Sequence, residues 1–71
     1  MQLLEEQFKI QYQNGKLDII NYHEIIHFDS NKIIISSSDG NISISGENLV
    51  VSRLLKDELL IEGKLDKVEF R

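Results

Sequence analysis

Apolar and polar side chains alternate along most of this sequence of 71 residues. A period of two places alternate side chains on one face of an extended strand, and isoleucine, valine and aromatic residues favour such half-buried surfaces. The pattern therefore predicts a series of β-strands rather than helices. The apolar positions that define one face of these strands are Phe8, Ile10, Tyr12, Leu17, Ile19, Ile33, Ile35, Ile42, Ile44, Leu49, Val51, Val68 and Phe70.

Turn-forming residues separate the alternating segments. Asn14-Gly15 is the strongest signal, because both residue types accept the left-handed backbone that a two-residue hairpin turn requires. Asp39-Gly40 has the same chemistry, and Asp29-Ser30-Asn31 is a third predicted turn. Gly46 and Gly63 are each predicted to end a strand at a turn, where glycine supplies an unusual backbone angle.

Two segments depart from this alternation. Leu65 and Val68 are three positions apart, so they cannot share a face in a regular strand. A bulge at Asp66-Lys67 would restore the register and place both on one face. Residues 52–58 have no clear period and are compatible with a wide loop or a single helical turn.

Strands and turns at this spacing predict an all-β fold, a small antiparallel meander or β-sandwich of seven or eight short strands. The length predicts a single domain over residues 1–71, in which residues 1–6 are frayed or weakly helical. A domain of this size buries only about 60% of its unfolded surface, and without cysteine it has no disulfide to support it.

A second apolar set lies on the opposite parity from the first and is therefore directed to the other face of the sheet. It consists of Ile20, Tyr22, Ile25, Ile34 and Val50. Either two sheets stack and cover these side chains, or the second face contacts another chain, and both can hold at different strands. These five residues are the predicted partner contact.

The charge and hydropathy of the chain exclude several classes of function. The net charge is −4, from 12 acidic and 8 basic residues, and the basic residues form no stripe that would bind nucleic acid. The sequence contains no apolar stretch of the length that spans a membrane. The first six residues are acidic where a signal peptide is basic, which predicts a cytoplasmic protein.

The candidate catalytic and metal-binding side chains are too dispersed to form a site. His23 and His27 would lie about 13 Å apart along a strand, which is too far to share a metal ion. The serines of segment 36–38 lack the Gly-x-Ser-x-Gly setting of a nucleophile, and Asp57-Glu58 falls in a polar segment. We therefore expect no catalytic residue, no metal and no cofactor.

A set of apolar and glycine motifs over residues 17–70 is more specific than a generic β pattern. It begins with Leu-Asp-Ile-Ile-Asn-Tyr at 17–22 and continues with Gly-Asn-Ile-Ser-Ile-Ser-Gly-Glu-Asn-Leu-Val-Val at 40–51. It closes with Glu-Leu-Leu-Ile-Glu-Gly at 58–63 and Leu65-x-x-Val68-x-Phe70. This set resembles the YabP/YqfC family of sporulation proteins, and is more similar to its YqfC branch.

The resemblance implies a compact β-sandwich-like domain in which Gly40, Gly46 and Gly63 are turn glycines. It also implies expression in the mother cell of endospore-forming bacteria and a role in the spore envelope or coat. The expected location is the mother-cell cytoplasm, including the surface of the forespore. A membrane protein of sporulation is the partner that the resemblance suggests, and no catalytic residue comes with it.

Three functions remain from these observations. The preferred one is a non-enzymatic protein that acts through protein–protein contacts, including contacts between its own copies, at the second apolar face or at an unpaired strand edge. The second is a module that binds a small ligand or a lipid headgroup in a cavity lined by Phe8, Tyr12 and Phe28. The third is an enzyme, which would need convergent polar groups in a cleft.

Overall fold

A computed structural model describes residues 8–38 and 40–71, and every regular element within them is a β-strand. The strands are β1 (Lys9–Gln13), β2 (Lys16–Ile20), β3 (Glu24–Phe28), β4 (Lys32–Ser37), β5 (Gly40–Leu54) and β6 (Glu58–Phe70). The all-β class is confirmed. The prediction of frayed residues 1–6 and the turn role of Asp39 lie outside the described residues.

Six strands replace the predicted seven or eight because β5 and β6 each continue through a glycine that was expected to end a strand. The turn prediction for Gly46 and Gly63 was therefore wrong. A Cβ atom on Gly46 would overlap the carbonyl oxygen of Lys64, and one on Gly63 would lie 2.6 Å from the carbonyl oxygen of Asn48. Glycine is needed at both positions because the two long strands approach each other closely there.

All strand pairs are antiparallel, in the order β1-β2-β6-β5-β4-β3. β2 pairs with residues 58–62 of β6, whereas β4 pairs with residues 40–45 of β5. The long β5–β6 hairpin is thus shared, with β1 and β2 at one end and β3 and β4 at the other. We call the β1–β2 end the first layer and the β3–β4 end the second layer.

The two layers fold over one core. Both layers contribute to a single cluster of buried side chains, and several isoleucines in it have no exposed surface. A single flat sheet leaves its side chains open to water, so exposure this low requires the sheet to fold onto itself. The described strands therefore form one antiparallel sheet that folds over a single core. Its buried apolar residues within the described ranges are Leu17, Ile19, Ile33, Ile35, Ile42, Ile44, Leu49, Leu59 and Ile61.

Two predicted turns have the expected local chemistry. Asn14 and Gly15 have φ angles of 53° and 76°, as a two-residue turn between β1 and β2 requires. Asp29 closes the turn between β3 and β4, since its Oδ1 accepts hydrogen bonds from the backbone N–H groups of Asn31 and Lys32, both at 2.8 Å. Gly40 is the first residue of β5 and has a φ angle of 119°.

The bulge in β6 is confirmed. Ser45 pairs with Lys67 and Gly46 pairs with Leu65, which leaves Asp66 without a partner on β5. The ambiguous segment 52–58 is strand up to Leu54, and a hydrogen bond of 2.8 Å from the N–H of Leu55 to the carbonyl of Glu58 closes the turn that follows.

Candidate functional site

An apolar groove of about 370 Å³ opens on one side of the molecule, between β1 in the first layer and the second half of β6 in the second layer. We call it the edge groove. Asp66 and Lys67 contribute its charged rim. The apolar side chains that line it are Ile10, Tyr12, Leu17, Leu65, Val68 and Phe70.

Strand alternation and the bulge together create this groove. Ile10 pairs with Ile19 and therefore faces the core side of the first layer. Because Asp66 is an extra residue, Leu65 and Val68 both turn towards the core side of the second layer. Tyr12 and Phe70 are 58% and 64% exposed, so the groove has an aromatic side chain on each wall that no described residue covers.

The groove lies beside an unpaired strand edge. Pairing between β2 and β6 ends at Glu62, and no other described strand continues it along residues 64–70. We call residues 64–70 the free edge. An edge of this kind presents backbone donors and acceptors that can pair with another chain.

The backbone of the free edge is directed outward at alternate residues. Arg71 and Asn41 exchange two N–H to carbonyl hydrogen bonds, of 2.8 and 3.1 Å. Since the direction alternates along an antiparallel strand, Val68 and Phe70 direct their N–H and C=O groups away from β5.

The same direction holds on the other side of the bulge. Gly46 donates its N–H to the carbonyl oxygen of Asn31 (3.0 Å), on the side of β5 that faces away from β6. Its pair with Leu65 is therefore not hydrogen-bonded, and the backbone groups of Leu65 also point outward. The free edge thus offers outward backbone groups at three groove-lining residues.

Charged side chains of both signs follow one another along the free edge. They are Lys64, Asp66, Lys67 and Glu69. Lys67 Nζ lies 3.6 Å from Glu69 Oε2, but both side chains are about half exposed, so this ion pair contributes little stability. These charges remain available to a chain that docks beside them.

The structure divides the five residues of the predicted partner contact. Tyr22 and Ile25 pack against the core, and Tyr22 donates a hydrogen bond of 2.8 Å from its hydroxyl to the carbonyl of Leu55. Ile20 is half-buried in the first layer and Ile34 is half-buried in the second. Val50 is 55% exposed. The five side chains thus differ in burial, and their role as a contact stays a prediction.

The three aromatic residues expected to line a ligand cavity are also separated. Tyr12 lines the edge groove, whereas Phe8 packs against the core from the segment before β1. Phe28 lies on β3 and is 50% exposed. Of these three residues Tyr12 lines the edge groove, and a cavity shared by all three stays a prediction.

A carboxyl pair lies on the outer face of the first layer. The pKa of Glu58 is raised, chiefly because its carboxyl shares a hydrogen bond with the carboxylate of Asp18, while Arg53 at 3.7 Å acts in the opposite direction. Asp18 Oδ1 is buried and has no hydrogen-bond partner among the described residues. The pair faces away from the core and from the edge groove.

His27 contacts an acidic side chain in the turn after β3. His27 Nε2 lies 2.8 Å from Asp29 Oδ2, and this contact is the main reason that the pKa of Asp29 is lowered. Across residues 8–38 and 40–71, no three side chains of histidine, aspartate or glutamate come together as metal ligands. The same ranges contain no helix that could cross a membrane.

Comparison with known proteins gives two matches. The sequence model of the YabP family matches residues 5–71 of this chain. The chain is also 33% identical over 58 residues to a Bacillus subtilis (strain 168) protein named Uncharacterized protein YqfC. That alignment covers 79% of this chain, which spans 62% of the length of the B. subtilis protein.

Proposed function

The chain belongs to the YabP family, as its motifs predicted, and on that premise we propose that it is a non-enzymatic protein of endospore formation that acts by binding another protein chain. The observation that carries this proposal is the edge groove beside the free edge. An extended segment of a second chain can pair with the outward backbone groups and place alternate apolar side chains in the groove.

The family motifs favour this site over the outer faces of the sheet. The closing motif, Leu65-x-x-Val68-x-Phe70, supplies three of the groove-lining side chains and the free edge itself. Exposed aromatic side chains beside an apolar pocket are typical of the residues that carry binding energy at protein interfaces. The proposed setting is the mother-cell cytoplasm at the forespore surface, where a membrane protein of sporulation would be within reach.

The proposal is tested by removing the exposed aromatic walls of the groove. Tyr12→Ser and Phe70→Ser should lower the count of heat-resistant spores in a spore-forming host whose own copy is replaced by the variant. Because both side chains are more than half exposed, the variants should keep the circular dichroism spectrum of the wild type. Phe28→Ser is the matched control, since it removes a half-exposed aromatic residue that does not line the groove and should leave spore counts unchanged.

Normal spore counts from folded Tyr12→Ser and Phe70→Ser variants would contradict this function.

A second candidate, binding of a small apolar ligand, is supported by the groove volume of about 370 Å³, which lies within the range of ligand pockets. Titration with a short-chain alkyl phosphate, followed by NMR at the amides of Leu65 and Val68, distinguishes the two. Saturable shifts at micromolar concentration would favour the ligand-binding function.

A further inference from the structure

We propose that the segment that pairs with the free edge is the free edge of a second copy, so that the protein forms a two-fold symmetric dimer. This inference rests on the proposed function, because it assigns the partner that occupies the same groove. It is drawn from three properties of residues 63–70: the direction of the backbone groups, the order of the charges and the position of one glycine.

The backbone groups restrict the register. Leu65, Val68 and Phe70 direct their donors and acceptors outward, so an antiparallel second copy can form paired hydrogen bonds with Leu65 opposite Val68 or with Val68 opposite Phe70. The register with Leu65 opposite Val68 is the one that uses the bulge. In a regular strand, residues three positions apart could not be paired around a two-fold axis, because they would face opposite sides of the sheet. The extra residue, Asp66, removes this conflict and places the two-fold axis between positions 66 and 67.

The charges match in that same register. Lys64 comes to lie opposite Glu69 of the second copy, and Asp66 opposite its Lys67. The two-fold symmetry repeats both pairs, which gives four contacts of opposite charge and none of like charge. A register moved by one residue would place Lys67 opposite Lys67. The register with Val68 opposite Phe70 would place Glu69 opposite Glu69. Of the registers that the backbone allows, the one with Leu65 opposite Val68 is therefore the one in which the charges are complementary.

The apolar side chains are also accommodated. Leu65 lies opposite Val68 of the second copy, and both enter the edge groove beneath β1. Phe70, which is 64% exposed in one copy, lies opposite Gly63 of the other. An aromatic side chain that covers a cross-strand glycine is a stabilising arrangement in antiparallel sheets. The dimer thereby covers the backbone at the glycine bend of β6.

A bulge and charged side chains on an edge strand can instead protect a monomer against association. Protection against association requires charged side chains on the edge strand, but it does not require that these charges form complementary pairs with those of a second copy. The two explanations therefore differ in what charge reversal should do, and the test uses this difference.

The experiment measures the mass of the chain in solution by sedimentation equilibrium at several concentrations. The wild type should dimerise, and Lys64→Glu or Glu69→Lys alone should raise the dissociation constant roughly tenfold or more, because each variant places two pairs of like charges across the interface. The double variant Lys64→Glu/Glu69→Lys should restore it. Lys56→Glu, an equal reversal in the β5–β6 turn, is the control and should have no effect.

A disulfide gives a second readout of the register. The chain contains no cysteine, so Lys64→Cys and Glu69→Cys each introduce a unique thiol. Positions 64 and 69 are a non-hydrogen-bonded pair in the proposed register, where side chains are closest. A mixture of the two variants should therefore form a crosslinked heterodimer faster than either variant alone forms a homodimer.

Three results would each overturn the dimer. The wild type could stay monomeric, the single charge reversals could leave the dissociation constant unchanged, or the double variant could have a dissociation constant as high as the single variants. The spore counts of Tyr12→Ser and Phe70→Ser keep the two proposals apart. A monomeric wild type with reduced counts in these variants would refute the dimer and retain the proposed function. A dimeric wild type with normal spore counts in the two variants would retain the dimer and refute the proposed function.

Discussion

The carboxyl pair of Asp18 and Glu58 shows how two residues on neighbouring strands set a response to pH. Ile20 pairs with Glu58 across β2 and β6, and Asp18 is two residues away on the same face of β2. The pKa of Glu58 is raised because the carboxylate of Asp18 favours the protonated form of its neighbour. A raised pKa in the folded state stabilises the protein below the unfolded value of 4.5, and this contribution is lost as the pH rises through the raised pKa.

Glu58→Gln should therefore raise the melting temperature at pH 7, because the amide can donate a hydrogen bond to Asp18 without adding a second negative charge. Below pH 4.5 the gain should disappear, since Glu58 is then protonated in the wild type as well. Thermal unfolding between pH 3.5 and 8 measures this. Glu24→Gln, an exposed carboxyl on β3, is the control. Equal melting temperatures for wild type and Glu58→Gln at pH 7 would contradict the proposed repulsion.

The glycines of the long strands act at the scale of the element. Gly63 has a φ angle of 136° and lies against the backbone of β5, whereas Gly15 has a φ angle of 76° and nothing within 4 Å of where its Cβ would be. The backbone angle of each position is unfavourable for residues other than glycine. Of the two, only Gly63 also lacks space for a Cβ atom. Gly15 is therefore restricted by its backbone angle, whereas Gly63 is restricted by both its backbone angle and the close approach of β5.

Gly15→Ala should lower the free energy of unfolding by about 1–2 kcal/mol, the cost of a left-handed residue with a side chain. Gly63→Ala should cost more, about 3 kcal/mol or above, because the added methyl group must also push the two strands apart. Urea denaturation of both variants gives the comparison. A loss at Gly63 no larger than the loss at Gly15 would show that the strands can move apart at the bend.

These glycines also show where sequence-based prediction ends. The hairpin turn at Asn14-Gly15 and the bulge at Asp66 were predictable, because each depends on a few adjacent residues. The continuation of β5 through Gly46 was not, since a glycine in a β pattern indicates a turn or a close crossing equally well. The residues of the core face could be predicted from the alternation of apolar and polar positions. The edge groove could not, because it depends on strand order, and the sequence of an individual strand does not indicate that order. Leu65, Val68 and Phe70 could be placed on a face, but not at an unpaired edge.

At the scale of the whole molecule, the shared hairpin makes the two layers one unit. β5 and β6 each contribute residues to both layers, and the buried side chains form a single cluster. Neither layer can separate without breaking strands that belong to the other. A chain of this size should therefore unfold in one transition, with a stability at the lower end of the range for domains.

Ile19→Val in the first layer and Ile35→Val in the second should each lower the free energy of unfolding by about 1 kcal/mol, because each removes a methylene group from a site with no exposed surface. Either change should reduce amide protection in both layers equally. Hydrogen exchange measured by NMR tests this residue by residue, and Ile26→Val, at a half-exposed site on β3, is the control. Protection lost only in the layer that carries the substitution would show that the layers open independently.

The pairing of β2 with β6 also determines when the protein can fold during synthesis. Lys16 lies beside Glu62, so the inner face of the β1–β2 hairpin meets its neighbouring strand only after most of the chain has left the ribosome. Contacts this distant in sequence form late and slow the folding of small β proteins. Until then Leu17 and Ile19 are open to water and to other nascent chains, so the early hairpin is exposed to aggregation.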